Sequence, residues 1–409
     1  MTIPAPAIGI DGHDWRSAKS LSSNSTTSRA TTAEETWERI HPLLADYGIT
    51  RIANVTGLDI TGIPVFNAIK PLGRSLSTAS GKGTTVAESR VGAAMEGIEQ
   101  TVWESQPLGE IYVSEYELNL SDTPFIPSRT IPRRTANLSS VQRQQHWTAG
   151  WDIVNQREVL VPSLAVCIPN SYRDVWGGPV ISSNGLASGN TVLEAVSSAL
   201  LEVIERDAVS GNVKSHRQID LSSITDPLAR ELLERLSSAD LTTSIVDVTA
   251  KTDIPTYAAT VFDQAHESVG SWVGYGSSLD SHVALVRAIT EAAQVRNVVI
   301  SGARDDIFDL DLRAMALVSS RGRLVHNSSK PELSVFESVC ESSATFEEDI
   351  QTIIGKLANV GIHQVIVIRH SLPQDVVQVV RVIVPELWAN LHGGTETFPI
   401  ISKTGGNNE

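Results

Sequence analysis

Residues 184–208, NGLASGNTVLEAVSSALLEVIERDA, open on a Gly/Ser/Asn turn and then set Val192, Ala195, Val196, Ala199, Leu200, Val203 and Ile204 at helical spacing. That pattern predicts one helix with a continuous buried face, with Thr191 as its N-cap and Glu194 as the third residue of a capping box. Residues 31–47 (TTAEETWERIHPLLADY) begin with acids and align Trp37, Ile40, Leu43 and Leu44, so they read as a second helix. Residues 227–241 and 345–358 read as two more. Period-two and continuous apolar runs predict two strands in 49–71 around a Gly/Asp turn, strand structure in 111–120, and strands on either side of Asn155-Gln156 in 146–168. Further strands are predicted over 243–248, 255–262, 268–275, 363–370 and 376–384. Trp147 and Trp151 read as core aromatics, since no basic residues interleave with them. Strands mixed with helices predict an α/β (α+β mixed) arrangement in layers.

The polar positions on these helices repeat. Gly83–Gln100 (GTTVAESRVGAAMEGIEQ) aligns without a gap on Gly189–Arg206 (GNTVLEAVSSALLEVIER), pairing Thr85 with Thr191, Glu88 with Glu194, Glu96 with Glu202 and Glu99 with Glu205. A looser copy, Ser278–Arg296 (SLDSHVALVRAITEAAQVR), puts Glu291 and Gln294 in the last two places and Arg287 one turn earlier. Residues three apart on a helix point the same way. Two carboxylates so placed on a mostly apolar helix call for a cation between them, and a divalent ion such as Mg²⁺, which takes hard oxygen ligands and is often shared with phosphate, fits that need. Three such units predict helices converging on one polar centre.

Composition narrows the classes. The 409 residues carry a formal net charge of −15, which argues against sequence-independent binding to nucleic acid or an anionic membrane. Cys167 and Cys340 are the two cysteines, far apart and without a CxxC, so neither a disulfide framework nor a thiolate metal site is expected. With no span-length apolar run and no signal-peptide layout, the expectation is a cytoplasmic protein. The segment 80–83 (SGKG) lacks the Walker A spacing, although Lys82 and nearby N–H groups could face an anion at a helix start. His370, at a predicted strand end, is a minor candidate. Residues 1–30 read as mobile or ordered only against something else, 31–394 as the body of the molecule, and 395–409 as a polar tail. Residues 172–183 read as a loop leading into the central motif, and 311–341 as an insertion or loop.

SGKGTTVAESRVGAAMEGIEQ, NGLASGNTVLEAVSSALLEVIERDA and ALVRAITEAAQVR resemble the three signature segments of the YcaO superfamily, and the resemblance runs from about residue 25 to 388. It implies a fold of repeated turn–helix units packed on mixed β-sheets around a central ATP site. It also implies ATP-dependent activation of a peptide backbone amide, giving azolines or thioamides in the maturation of ribosomal peptides. Implied Mg²⁺ ligands are Glu96, Glu99, Glu202, Glu205 and Glu291. Implied nucleotide contacts are Arg29, Thr36, Lys82, Asn190, Glu194 and Gln294, with Arg206 and Arg287 clamping phosphate oxygens. Glu202, Glu205, Arg206 and Arg287 form the implied catalytic set. Two positions depart from the family pattern: Gly92 stands where many members have serine, and Arg29 where lysine is more usual. The tail also lacks the proline-alternating end found in some azoline formers. The runs RIANVTGLDITGIPV and VVRVIVPELW look closer to the branch that works with a separate TfuA-type partner. Implied partners are a peptide or protein substrate, a leader-binding or TfuA-like protein, and a second copy of the chain in a homodimer. A non-catalytic scaffold that binds a partner, or an ATP-dependent ligase acting on a carboxylate, stay open as alternatives.

Overall fold

Aspartate followed by glycine turns the chain back on itself at its start. Asp11 and Gly12 both take positive φ (52° and 75°), the backbone of a two-residue hairpin turn, between strands β1 (Ile8–Ile10) and β2 (His13–Trp15). The computed structural model describes residues 8–19, 28–131, 141–168, 182–210, 217–263, 271–304, 333–372 and 374–387. The readings made for 395–409, for 311–341 up to residue 332, and for 172–183 up to residue 181 lie outside the described residues. Residues 8–19 of that first segment are described, and they pack on the body of the molecule. Ile8 and Ile10 are buried in the main core beside Val192, Val196 and Leu200.

Helix α1 (Ala33–Ile40) follows, closed by a reciprocal capping box between Thr32 and Glu35. Strands β3 (Arg51–Asn54), β4 (Val65–Ile69) and β5 (Thr78–Lys82) form an antiparallel three-stranded sheet that feeds directly into α2 (Val86–Glu104). Ser80, Gly81 and Lys82 therefore end a strand, just ahead of the helix start. Strand β6 (Ile111–Ser114) is followed by a short helix α3 (Glu115–Leu120), not by more strand. Ser114 and Glu117 make a complete capping box there, and that local signal outweighs the β propensity of the run. Strands β7 (Gln144–Asp152) and β8 (Arg157–Pro162) turn at Gln156, as the sequence suggests. Strand β9 (Leu186–Gly189) leads into α4 (Val192–Val209).

After β10 (Arg217–Ile219) and α5 (Pro227–Ser238) come β11 (Leu241–Asp247), β12 (Thr256–Asp263) and β13 (Ser271–Ser277), which lead into α6 (Ser281–Ser301). Strand β13 runs through Ser277, and residues 278–280 join it to α6. Strand β14 (Leu333–Ser334), helix α7 (Phe346–Asn359) and strands β15 (Ile366–Arg369) and β16 (Gln378–Ile383) complete the described chain. One sheet has the order β13-β12-β11-β10-β14. The other runs β6-β7-β15-β16-β9, with β8 also paired to β7. No helix among the described residues is long and apolar enough to cross a membrane.

The repeat in sequence is thus a repeat in space, a strand entering a helix that folds back on it. Glycine permits the contact. A Cβ on Gly83 would stand 2.6 Å from the Glu88 Cβ, and one on Gly189 would stand 3.0 Å from the Glu194 Cβ and 2.7 Å from the Ala195 nitrogen. In the third unit Gly274 and Gly276 do this job: their Cβ atoms would come within 2.1 Å of the Ala292 nitrogen and the Ala284 carbonyl. Each helix therefore lies on its own strand at backbone distance.

Candidate active site

Helices α2, α4 and α6 bring Glu96, Glu99, Glu202, Glu205 and Glu291 into one electrostatic neighbourhood. Glu202 acts on Glu99, and Glu291 acts on Glu96, Glu202 and Glu205. Cations are threaded among them. Lys82 at the end of β5 pairs with Glu291 of α6, and Arg206 Nε lies 4.0 Å from Glu202 Oε1 one turn earlier. Arg287 acts on both Glu205 and Glu291. The turn–helix register puts these groups together, because each acid sits on the stripe of its helix that the glycine contacts turn toward the centre.

The acids are not all held alike. Burial pushes the Glu96 carboxyl up to about 7, against the pull of Lys82 and Arg304. Burial likewise raises Glu202 to about 7, opposed by Arg206 and reinforced by Glu205. Burial, then Glu202 and Glu96, lift Glu99 well above the usual carboxylate range, and burial with Glu291 raises Glu205. Glu291 is the exception: burial would raise it, but Lys82 and then Arg206 outweigh burial and hold it low. Arg206 is raised by Glu202, Glu205 and Glu291 in spite of its own desolvation. Among the described residues, Glu205 Oε2 and Arg287 Nε are buried without a hydrogen-bond partner.

A second polar group forms at the start of α4. Glu194, 1% exposed, accepts from Arg29 Nη1 (3.2 Å), the Ala30 amide (3.2 Å) and both nitrogens of Asn190. Asn190 Oδ1 accepts from the Thr36 hydroxyl at 3.1 Å. The expected capping box is therefore only half made. Thr191 accepts from the Glu194 amide at 3.2 Å, but the Glu194 side chain turns to Arg29 and Asn190 and not back to Thr191. Its counterpart Glu88 does complete the box with Thr85. Glu194 and Glu202 are separated by about 12 Å along the helix, at 1.5 Å per residue. Arg29, Thr36, Asn190 and Glu194 thus gather at one end of α4 and the acid cluster further along it. Gln294 lies beside the acid cluster: its amide donates to the Ser80 carbonyl at 2.7 Å, tying α6 to β5, and the Ser80 backbone also hydrogen-bonds Glu96.

Three groups near the acids were not singled out from the sequence. Arg381 of β16 is 4% exposed, with Nε and Nη1 unpartnered. Burial draws it down to about 10, opposed by Glu202, Cys167 and Glu99. A lone arginine in the run VVQVVRVIV was the available signal. Tyr275 of β13 is raised by burial and by Glu291, and Ser188 of β9 hydrogen-bonds Glu99. His370 is held neutral, pushed down to about 3 by burial and then by Arg381, and its Nε2 has no partner.

The donor set fits Mg²⁺. Hard carboxylate oxygens crowd one place, one of them is buried and unpartnered among the described residues, and burial raises most of the acids. Among the described residues, no three acidic or metal-ligating side chains are gathered closely enough to hold one ion alone. An ion here would take one or two carboxylates and fill its octahedron with phosphate oxygens and water, the usual habit of Mg²⁺ beside nucleotides.

A family model described as "YcaO cyclodehydratase, ATP-ad Mg2+-binding" matches residues 80–388. A Rhizobium leguminosarum bv. trifolii protein, described as an uncharacterized protein in the tfuA 3′ region, is 31% identical over 378 residues, covering 89% of this chain and 90% of its own length. Among solved structures, a heterocyclase in complex with substrate and cofactor has a TM-score of 0.75 at 21% identity. The match covers 92% of this chain but 54% of that longer one. YcaO from Methanopyrus kandleri, bound with AMPPCP and Mg²⁺, has a TM-score of 0.68 at 23% identity, covering 89% of this chain and 93% of that one. At these identities the structures share the fold with this chain.

Proposed function

The chain belongs to the YcaO family of ATP- and Mg²⁺-binding cyclodehydratases, and from that premise we propose that it phosphorylates the oxygen of a peptide backbone amide. The observation that carries this reading is the meeting of five carboxylates from α2, α4 and α6 with Lys82, Arg206 and Arg287. Glu96, Glu99, Glu202, Glu205 and Glu291 would hold Mg²⁺, which when bound neutralises the triphosphate and the charge that builds up as phosphoryl moves. Arg29, Thr36, Asn190 and Glu194 would hold the far end of the nucleotide, at the other end of the stretch of α4 that an extended triphosphate can follow. Lys82, Arg206 and Arg287 would turn from the carboxylates to phosphate oxygens as ATP arrives.

An amide oxygen leaves poorly, and phosphate leaves well. A Cys, Ser or Thr side chain of the substrate adds to the carbonyl carbon, and the resulting oxyanion takes the γ-phosphoryl group as ADP departs. The C–O bond then breaks, phosphate leaves, the amide nitrogen loses its proton, and an azoline C=N forms. Thioamide formation is the second reading, favoured by the tfuA-linked relative. There a sulfide adds in place of the side chain, and C=S forms as phosphate leaves. A TfuA-like partner, a homodimer and a cytoplasmic setting belong to the same proposal.

The test is product mass and nucleotide product together. Incubation with ATP, Mg²⁺ and a Cys/Ser/Thr-containing peptide is expected to give ADP and phosphate, with loss of one water per azoline. Added sulfide and a TfuA-like protein would instead give oxygen-to-sulfur exchange. AMP, or two peptides joined, would overturn amide O-phosphorylation.

A further inference from the structure

Ser17–Lys19 is a short piece of chain fixed by many bonds. The Lys19 amide donates to the Ala344 carbonyl and the Phe346 amide to the Ser17 carbonyl, both at 3.0 Å, around an antiparallel bridge between Ala18 and Thr345. The Ser17 amide donates to Glu347 Oε1 at 2.6 Å. Lys19 Nζ pairs with Asp349 and also donates to Ser342 Oγ (2.7 Å) and the Ser343 carbonyl (2.9 Å). The Lys19 and Asp349 side chains are 6% and 7% exposed. Both acids lie in the first turn of α7, where a helix N-terminus already favours negative charge.

The other side of this segment reaches the nucleotide end of α4. The hydroxyls of Ser17 and Thr191 are 2.8 Å apart, and Thr191 is the N-cap that receives the Glu194 amide. The same stretch of chain, further on, supplies Arg29 and the Ala30 amide to Glu194. Phe346, beneath the Lys19 ammonium at 5.6 Å, is buried in one core with Val192, Leu193 and Leu200 of α4. One anchor thus holds the first turns of α4 and α7 together and fixes where the chain sets out toward Arg29.

We infer that Lys19, by docking the N-terminal segment on α7, is a positioning residue for ATP: it keeps Thr191, Glu194 and Arg29 in the arrangement that receives the nucleotide. This rests on the nucleotide reading of that end of α4. Lys19 touches no group proposed to meet ATP, so its loss should weaken capture of ATP and leave phosphoryl transfer unchanged once ATP is bound.

The experiment is steady-state ATP turnover by the full chain at saturating Mg²⁺, with Lys19→Met, Lys19→Arg and Ser17→Ala, each checked by a thermal melt. Lys19→Met is expected to raise KM for ATP about five- to tenfold with kcat within about twofold, and Lys19→Arg to restore most of it. Ser17→Ala, which keeps the ion pair and loses only the hydroxyl at Thr191, is expected to raise KM about two- to threefold and serves as the test if Lys19→Met does not fold. A folded Lys19→Met with native KM overturns the inference, as does a fall in kcat at unchanged KM; if Lys19→Met is unfolded, native KM in Ser17→Ala overturns it. If the native chain itself neither binds nor turns over ATP, the nucleotide reading fails first, and the two failures are thereby told apart.

Discussion

Two ionic networks in this molecule are made of the same kinds of side chain and have opposite characters. In one, Lys70 and Glu104, with side chains 3% and 7% exposed, meet at 2.8 Å, and Glu104 Oε1 also receives the Ser75 amide at 2.9 Å. Burial would raise Glu104, but Lys70 and then Ser75 outweigh it and hold the carboxyl below its usual range. In the other, Glu96 and Glu202 stand at about 7, and Glu205 and Arg287 each leave a buried polar atom unpartnered. The first network is closed within the chain. The second buries five carboxylates whose charged form desolvation penalises, and among the described residues it leaves polar atoms without partners, which is the condition of a site completed by ions from outside.

The largest expected effect that sharpens this contrast is Glu202→Gln. It should lower ATP-dependent phosphate release by more than about a thousandfold, because a carboxylate proposed to hold Mg²⁺ at the phosphoryl centre is lost. The nucleotide-free melting temperature should stay level or rise. Unchanged turnover would leave the open network without a role. Lys70→Met should do the reverse. It strands a buried carboxylate, costing about 3–5 kcal/mol in urea unfolding, while the protein that remains folded keeps its native kcat. Next, Arg287→Ala should weaken ATP binding by about 1.5–3 kcal/mol in calorimetry, the worth of a charge-assisted contact. Native affinity would place α6 outside the nucleotide site.

The smallest effect is in pH. Glu96 and Glu202 titrate near 7 in the folded chain and near 4.5 when unfolded, so the fold binds more protons in that window and stability falls as pH rises through it. Glu104 has the opposite sign: its folded value is depressed, so its contribution is present above 4.5 and is lost as pH falls through the folded value. Melts without nucleotide should therefore decline between about pH 5 and 8, and Mg²⁺ with a non-hydrolysable ATP analogue should flatten that decline. Equal slopes with and without the ligand would erase the distinction between the two networks.

Much of the centre was legible before any coordinates. The gapless match of 83–100 on 189–206 carries both the glycines that seat each helix and the acids that face the middle, so one pattern gave turn, helix and candidate acids together, while the strands β5 and β9 ahead of the helices went unread. Glu88 and Glu194 show where that reading fails. They are the same residue at aligned positions, yet one completes a cap and the other leaves it for Arg29, a partner far away in sequence. Long-range partners of this kind leave no local trace. Arg381 and Tyr275 went unnoticed for the same reason, since each sits in a strand whose neighbours are set by sheet order. The Asp11-Gly12 hairpin was readable in principle: Ile8 and Ile10 alternate ahead of a turn dipeptide, but the Ser/Thr-rich residues after it set the reading of the whole segment.

The glycines under α2, α4 and α6 determine what can vary in this molecule and what cannot. They make the spacing of the central acids a property of main chain resting on main chain, so strands remote from β5, β9 and β13, such as β6, β10 and β14, can vary without moving the acids. The reverse is severe: a single methyl group at Gly189 or Gly274 would lift a whole helix, and every charge on it would shift with it. Substitution therefore has freedom away from these strands and almost none beneath these helices.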